Sequence, residues 1–183
     1  MLAFPFDGGR LCLDFVGTRG DRAHHWIERL RDPEDLGRWI VEAGLGERPP
    51  GTTPAALRQA QELREAICRA LYAGMAQDEL DAADAAVINE AARRPPLAPN
   101  LDPRSRGIRW SAGPCSAALA LVARDAVDLL ASEKLDRVRE CAAPNCSLLF
   151  LDESRAGQRR WCSMTRCGNR SKAAAAYRRR RGG

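Results

Sequence analysis

Seven cysteines stand in the 183-residue chain, and four of them are spaced for a single task. Cys141 and Cys146 form one C-x4-C pair and Cys162 and Cys167 another, with fifteen residues between the pairs. Two such pairs facing each other make a tetrahedral cage of thiolates, the ligand set of structural zinc sites, with each sulfur about 2.3 Å from the ion. Ala142, Ala143, Pro144 and Asn145 suit a tight knuckle, because Pro fixes φ and Asn tolerates a left-handed turn. Ser163, Met164, Thr165 and Arg166 can open a helix that carries its own ligand. A closed cage leaves no position for water, so the predicted Zn2+ serves folding and not Lewis-acid chemistry. An iron–sulfur cluster or a redox dithiol is the alternative use of the same four residues. Cys12, Cys68 and Cys115 lie apart and read as small buried hydrophobes, the alternative being a redox role for one exposed thiol.

Charge is the second chemical signal. Residues 155–183 hold ten basic side chains and no acid, whereas the chain before them holds 19 basic and 24 acidic ones. The overall charge of +5 therefore conceals a mildly acidic body and a strongly basic end, and attraction for a polyanion belongs to the end. Only Lys134 and Lys172 are lysines, so the clustering of arginine carries the signal and its identity does not. Part of the cluster is structural, since four thiolates around Zn2+ leave a charge of about −2 that Arg159, Arg160, Arg166 and Arg170 can offset.

A helix starting near Thr165 brings Arg166, Arg170, Tyr177 and Arg181 within about 60° of one another, with Asn169, Ala173, Ala176 and Arg180 on the adjoining strip. Arg170, Lys172, Arg178, Arg179, Arg180 and Arg181 are expected on phosphates, Arg166 and Asn169 on bases, with Arg159 and Arg160 extending the basic surface. The competing reading gives Asn169 and Arg170 to the cage, bonded to sulfur or to knuckle carbonyls, and leaves residues 178–181 as a solvated terminus. Trp161, beside a ligand in a very small unit, reads as core and not as a stacking platform. His24 and His25 are adjacent, point differently, and read as loop residues.

The elements that must hold these groups are mainly helical. Asp32, Pro33 and Asp35 spell a capped start, followed by Leu36, Trp39, Ile40 and Ala43 on one face up to Gly44. Thr53-Pro54 repeats the signal, and Leu57, Ala60, Leu63, Ile67, Ala70 and Leu71 recur at helical spacing over about five turns. A third helix is expected from Asp78, with Leu80, Ala83, Val87 and Ala91 as its stripe, ending at Pro95-Pro96. A Pro-rich loop then leads to a short strand at residues 107–111, and Pro114 opens a central helix burying Ala118, Leu119, Val122, Ala126, Leu129 and Leu130. Residues 11–16 fit a strand or the first turns of a buried helix equally well. Beyond Arg137 the pieces shorten, and residues 148–151 are expected to pair with residues 159–161 as a hairpin before a ligand-bearing helix. The expected architecture is a helical domain over residues 1–134 followed, at 135–183, by a small α+β treble-clef-like finger that needs its metal to fold.

At the end of the chain Leu149-Phe150-Leu151-Asp152, Arg160-Trp161-Cys162-Ser163-Met164 and Cys167-Gly168-Asn169-Arg170 join the cysteine spacing to resemble the CGNR zinc finger family. At the front, Leu11-Cys12-Leu13-Asp14-Phe15-Val16 with Asp35, Leu36 and Trp39 resembles the helical ABATE domain that commonly precedes this finger, with Gly17 where Asn is frequent. The resemblance implies a bacterial, stress-associated transcription regulator with a DNA- or RNA-binding finger. The leading expectation is a DNA-binding regulator whose helical body senses a small-molecule effector or pairs subunits into a homodimer. An RNA-binding finger, or a protein-docking module whose arginines meet an acidic partner or the body itself, is the alternative. No phosphate-cradling glycine loop, placed nucleophile or open metal site points to an enzyme. With 45% hydrophobic and 29% charged residues, and no apolar run of membrane length or secretory leader, the chain reads as globular, soluble and cytoplasmic.

Overall fold

The computed structural model describes residues 2–22 and 26–173. His24 and His25, and residues 174–183 with Tyr177 and Arg178, Arg179, Arg180 and Arg181, lie outside the described residues. Among those described, no helix is long and apolar enough to cross a membrane.

The chain starts with α1 (Leu11–Val16), which settles the ambiguous segment as helix. No side chain caps it locally. Its acceptor comes from a distant element, where Asp125 takes the Cys12 amide at 2.8 Å and pairs with Arg10 at 2.8 Å. A two-residue antiparallel pair follows, β1 (Arg19–Gly20) and β2 (Ile27–Glu28). α2 (Pro33–Glu42) and α3 (Pro54–Ala76) begin as their caps dictate, Asp32 accepting from the Asp35 amide at 2.8 Å and Thr53 from the Ala56 amide at 3.1 Å. α4 (Ala82–Arg93) starts later than the sequence suggests. Asp81 takes the Ala83 and Asp84 amides, leaving Leu80 exposed ahead of the helix, so the buried positions are Asp84 and Ile88. The Pro-rich loop itself supplies a strand, β3 (Pro99–Leu101), paired with β4 (Ile108–Trp110). α5 (Cys115–Leu130) is the central helix, packed on α1, α3 and α4.

One apolar core joins these helices, with Phe15 against Trp39 at 4.9 Å between ring centroids and Leu36, Ile67, Leu71, Val122 and Leu129 fully enclosed. A buried ion network stiffens its edge. Arg64, 2% exposed, meets both Glu28 oxygens at 2.7 and 2.6 Å, while Glu65 pairs with Arg22 at 2.6 Å. Burial pushes the Glu65 carboxyl up, but Arg22 and Arg64 outweigh it and hold the group down at about 2.

A 3-10 turn (Glu133–Arg137) carries the chain out of α5, and Gly74 makes room for it: a Cβ there would stand 2.6 Å from a Leu135 methyl. β5 (Val138–Glu140) then pairs antiparallel with β6 (Leu149–Leu151), Val138 opposite Leu151 and Glu140 opposite Leu149. The expected hairpin therefore has a different partner. Residues 159–161 make no strand; the Arg160 carbonyl accepts the Ala142 amide at 2.8 Å, beyond the β5 edge. Alternation along β6 divides its side chains between two interiors. Leu149 and Leu151 enter the helical core with Val138, whereas Leu148 and Phe150 enter a second cluster made with Ala143 and the cysteines.

Candidate metal centre and nucleic-acid interface

The second cluster is built from two knuckles. Cys141 extends β5, its amide reaching the Leu148 carbonyl at 3.0 Å, and the chain turns so that the Cys146 amide meets the Ala143 carbonyl at 3.1 Å. The second knuckle is a wide turn, Met164–Gly168, in which the Cys167 and Gly168 amides both reach the Ser163 carbonyl at 3.0 Å. Helical residues 169–173 follow. This wide turn changes the expected wheel, because Arg166 lies inside it and a step of about 100° per residue does not carry from Arg166 to Arg170.

The geometry brings Cys141, Cys146, Cys162 and Cys167 together, their sulfurs all within 4.8 Å of one another. Cys146 Sγ lies 3.8 Å from Cys162 Sγ, which lies 3.6 Å from Cys167 Sγ. A tetrahedron with ligands about 2.3 Å from its centre has edges of about 3.8 Å, so this donor set fits zinc in size as well as chemistry. Cys141, Cys162 and Cys167 are buried and Cys146 is half-buried. With protons alone the charge is shared unevenly. Bonding to Cys162 draws the Cys146 thiol down to about 5, while Cys146 pushes Cys162 far up and burial pushes Cys167 up to about 11. A divalent cation is the partner that lets all four ionise together.

Around the cage the arginines divide by task. Arg159 is exposed, yet its guanidinium donates to the Trp161 carbonyl at 2.8 Å and to the Cys162 carbonyl, and stacks 4.6 Å over Phe150. It braces the second pair of cysteines. Arg160 is exposed, 5.3 Å over the half-buried Trp161 ring, which packs on the cage cluster. Arg166 reaches back to the body and pairs with Asp7 at 2.7 Å. Arg170 donates to Cys167 Sγ at 3.7 Å. Asn169 and Lys172 are exposed. Cys12, Cys68 and Cys115 are buried, and burial pushes all three thiols up.

A family model described as "Putative stress-induced transcription regulator", ABATE, matches residues 9–133, and the CGNR zinc finger matches residues 137–181. The chain belongs to the ABATE family and carries a CGNR zinc finger. No curated protein matches it. Within this ABATE chain, Gly17 caps α1 against the finger: a Cβ there would stand 2.9 Å from a Leu148 methyl. The front helix and the finger are thus in direct contact.

Sequence reasoning assigned no role to three residues that shape the site. Asp152, fully buried, accepts the Ser154 amide at 2.9 Å and the Arg159 amide at 2.8 Å, and its bonding to Ser154 holds the carboxyl down at about 2. It closes the loop that delivers Arg159. Asp7 anchors Arg166. Arg29 faces the finger from the body and shares a cavity wall with Cys146 and Cys167. Asp152 has a local signal, as the acid that ends an apolar strand before a Gly-containing turn; Asp7 and Arg29 have none.

Proposed function

We propose that the chain is a non-catalytic, cytoplasmic DNA-binding transcription regulator whose finger is folded by a structural Zn2+. The observation that carries this reading is the continuity of cage and charge. A four-cysteine centre leads into Asn169, Arg170 and Lys172, all exposed, within a stretch that holds no acid from residue 155 onward. Electrostatic attraction to phosphates supplies sequence-independent affinity, and a helix with small residues among its basic ones can enter a major groove. Arg160, Arg170 and Lys172 are the phosphate candidates among the described residues, and Asn169 is the base-reading candidate. Arg159 serves the cage instead.

The test is affinity for duplex DNA as a function of salt. About five to eight phosphate contacts give a log–log slope of about −5 to −7, and a flat response rejects the electrostatic footprint. Competition by structured RNA separates the RNA-binding alternative. One contact favours a docking role for part of the basic surface: Arg166 already pairs with Asp7 of the body at 2.7 Å. In this reading Arg166 sets the finger's orientation and the residues after it carry nucleic-acid affinity.

A further inference from the structure

Arg29 is a cation short of a counter-charge. It is 9% exposed, just after β2, and its guanidinium donates only to backbone carbonyls among the described residues. Nε reaches Ala3 at 3.0 Å, and Nη1 reaches Gly17 at 3.4 Å and Ile27 at 3.5 Å. No described carboxylate forms an ion pair with it. Burial lowers its pKa and the neighbouring charge of Arg166 lowers it further, with Cys146 and Glu28 offsetting part of the effect. A buried guanidinium surrounded by dipoles and a second guanidinium is an arrangement that an anion relieves.

That anion has a place to sit. A cavity of 260 Å³ opens at the seam between body and finger, walled by Gly20 and Arg29 on one side and by Asn145, Ser147, Arg166 and Arg170 on the other. We propose that this seam binds a small phosphate-class oxyanion, gripped by Arg29 from the body and by Arg166 and Arg170 from the finger. Planar guanidinium forks match the oxygens of a phosphate in pairs, which a single ammonium cannot do. The cavity suits a phosphate group with its waters or a small phosphate ester, being below the usual size of sites for larger ligands. Asp21 forms part of the same wall. A carboxylate already sits on one arginine of the group, since Asp7 holds Arg166 at 2.7 Å. The cage takes its own share of positive charge through Arg170, bonded to Cys167 Sγ, so Arg29 is the wall residue that gains most.

An oxyanion here ties β2 to the wide turn Met164–Gly168 and so fixes how the finger is presented. The same chemistry comes from a free phosphate ester or from a phosphate of a nucleic-acid backbone. The experiment titrates inorganic phosphate into the zinc-loaded 183-residue chain at constant ionic strength, following heat and thermal unfolding, with chloride as control. Saturable binding of one phosphate per chain is expected, raising the unfolding midpoint. Arg29→Lys weakens it by about tenfold with zinc content unchanged, the lysine keeping the charge but losing the fork, and Arg170→Gln weakens it as well when compared at equal zinc loading, since Arg170 also bonds Cys167 Sγ. A response that never saturates and follows ionic strength overturns the proposal, as does binding that both variants leave intact. If Arg29→Lys impairs only duplex binding, the seam holds a backbone phosphate and the free-anion site fails. Because the phosphate titration contains no nucleic acid, its result stands apart from the salt-slope test.

Discussion

The amide of Leu151 donates to the carbonyl of Gly8 at 2.8 Å, so a strand of the finger is hydrogen-bonded to the loop that leads into the first helix of the body. Gly8 in turn gives its own amide to Asp14 at 2.8 Å. The finger is therefore docked on the body through backbone as well as side chains, and the two faces of β6 should report on different interiors. Leu149→Ala is expected to destabilise the helical core by about 2–4 kcal/mol in denaturant unfolding. Phe150→Ala should instead loosen the cage, seen as faster loss of zinc to a chelator, with a smaller effect on the helices. Equal effects of both variants on both measurements would refute the division.

Removal of the metal has a localised outcome. Cys162→Ser, or chelation of the native chain, should raise amide exchange across residues 138–173 while α2, α3 and α5 keep their protection. Elemental analysis of the native chain should return about one zinc per chain. Absence of bound zinc together with unchanged exchange in the variant would remove the basis for a structural cage.

Arg159 and Lys172 separate bracing from binding. Lys172→Gln is expected to reduce the salt slope of duplex binding by about 1 without altering zinc retention. Arg159→Gln should weaken zinc retention and thermal stability, because it removes the bonds to the Trp161 and Cys162 carbonyls. The opposite assignment of effects would place Arg159 on nucleic acid.

Asp14 predicts a pH dependence of stability. Burial lifts its carboxyl to about 6, with Asp7 and Asp125 adding to the rise and the Gly8 amide opposing it. A folded value above the unfolded one of about 3.9 means that folding favours the neutral acid. Its contribution is full below pH of about 4 and is lost as pH rises to about 6. Discounted for partial exposure, the loss is about 1–2 kcal/mol. Asp14→Asn should flatten that slope in urea unfolding at pH values from about 4 to 7 and be at least as stable as the parent at neutral pH. An unchanged slope would show that Asp14 does not titrate in this range.

Much of this architecture is legible in the sequence where the cause of an element lies within it. α2 and α3 carry their own caps, Asp32 and Thr53, and start where those residues say. α1 gives no such sign because its cap, Asp125, lies 113 residues away. The cysteine spacing discloses the four residues of the cage, since metal ligation constrains spacing directly. It does not disclose the partner of β6. Val138, Arg139 and Glu140 form too short a strand to show alternation, and β6 is apolar on both faces because both are covered. Periodicity also misplaces Arg166, because a wide turn breaks the helical step just where a ligand must point inward. Arg29 escapes notice for a simpler reason: nothing near it in the chain tells that three carbonyls and a distant arginine will surround it.

The two-sided packing of β6 bears on how such a finger can travel between proteins. Cut away near residue 135, it would carry Val138, Leu149 and Leu151 into water as an oily flank, and the four cysteines, which cluster with Phe150 on the opposite face, offer that flank no shelter. A new host must therefore bring a matching apolar dock, so grafting this module means transplanting a joint and not merely a bead on a string.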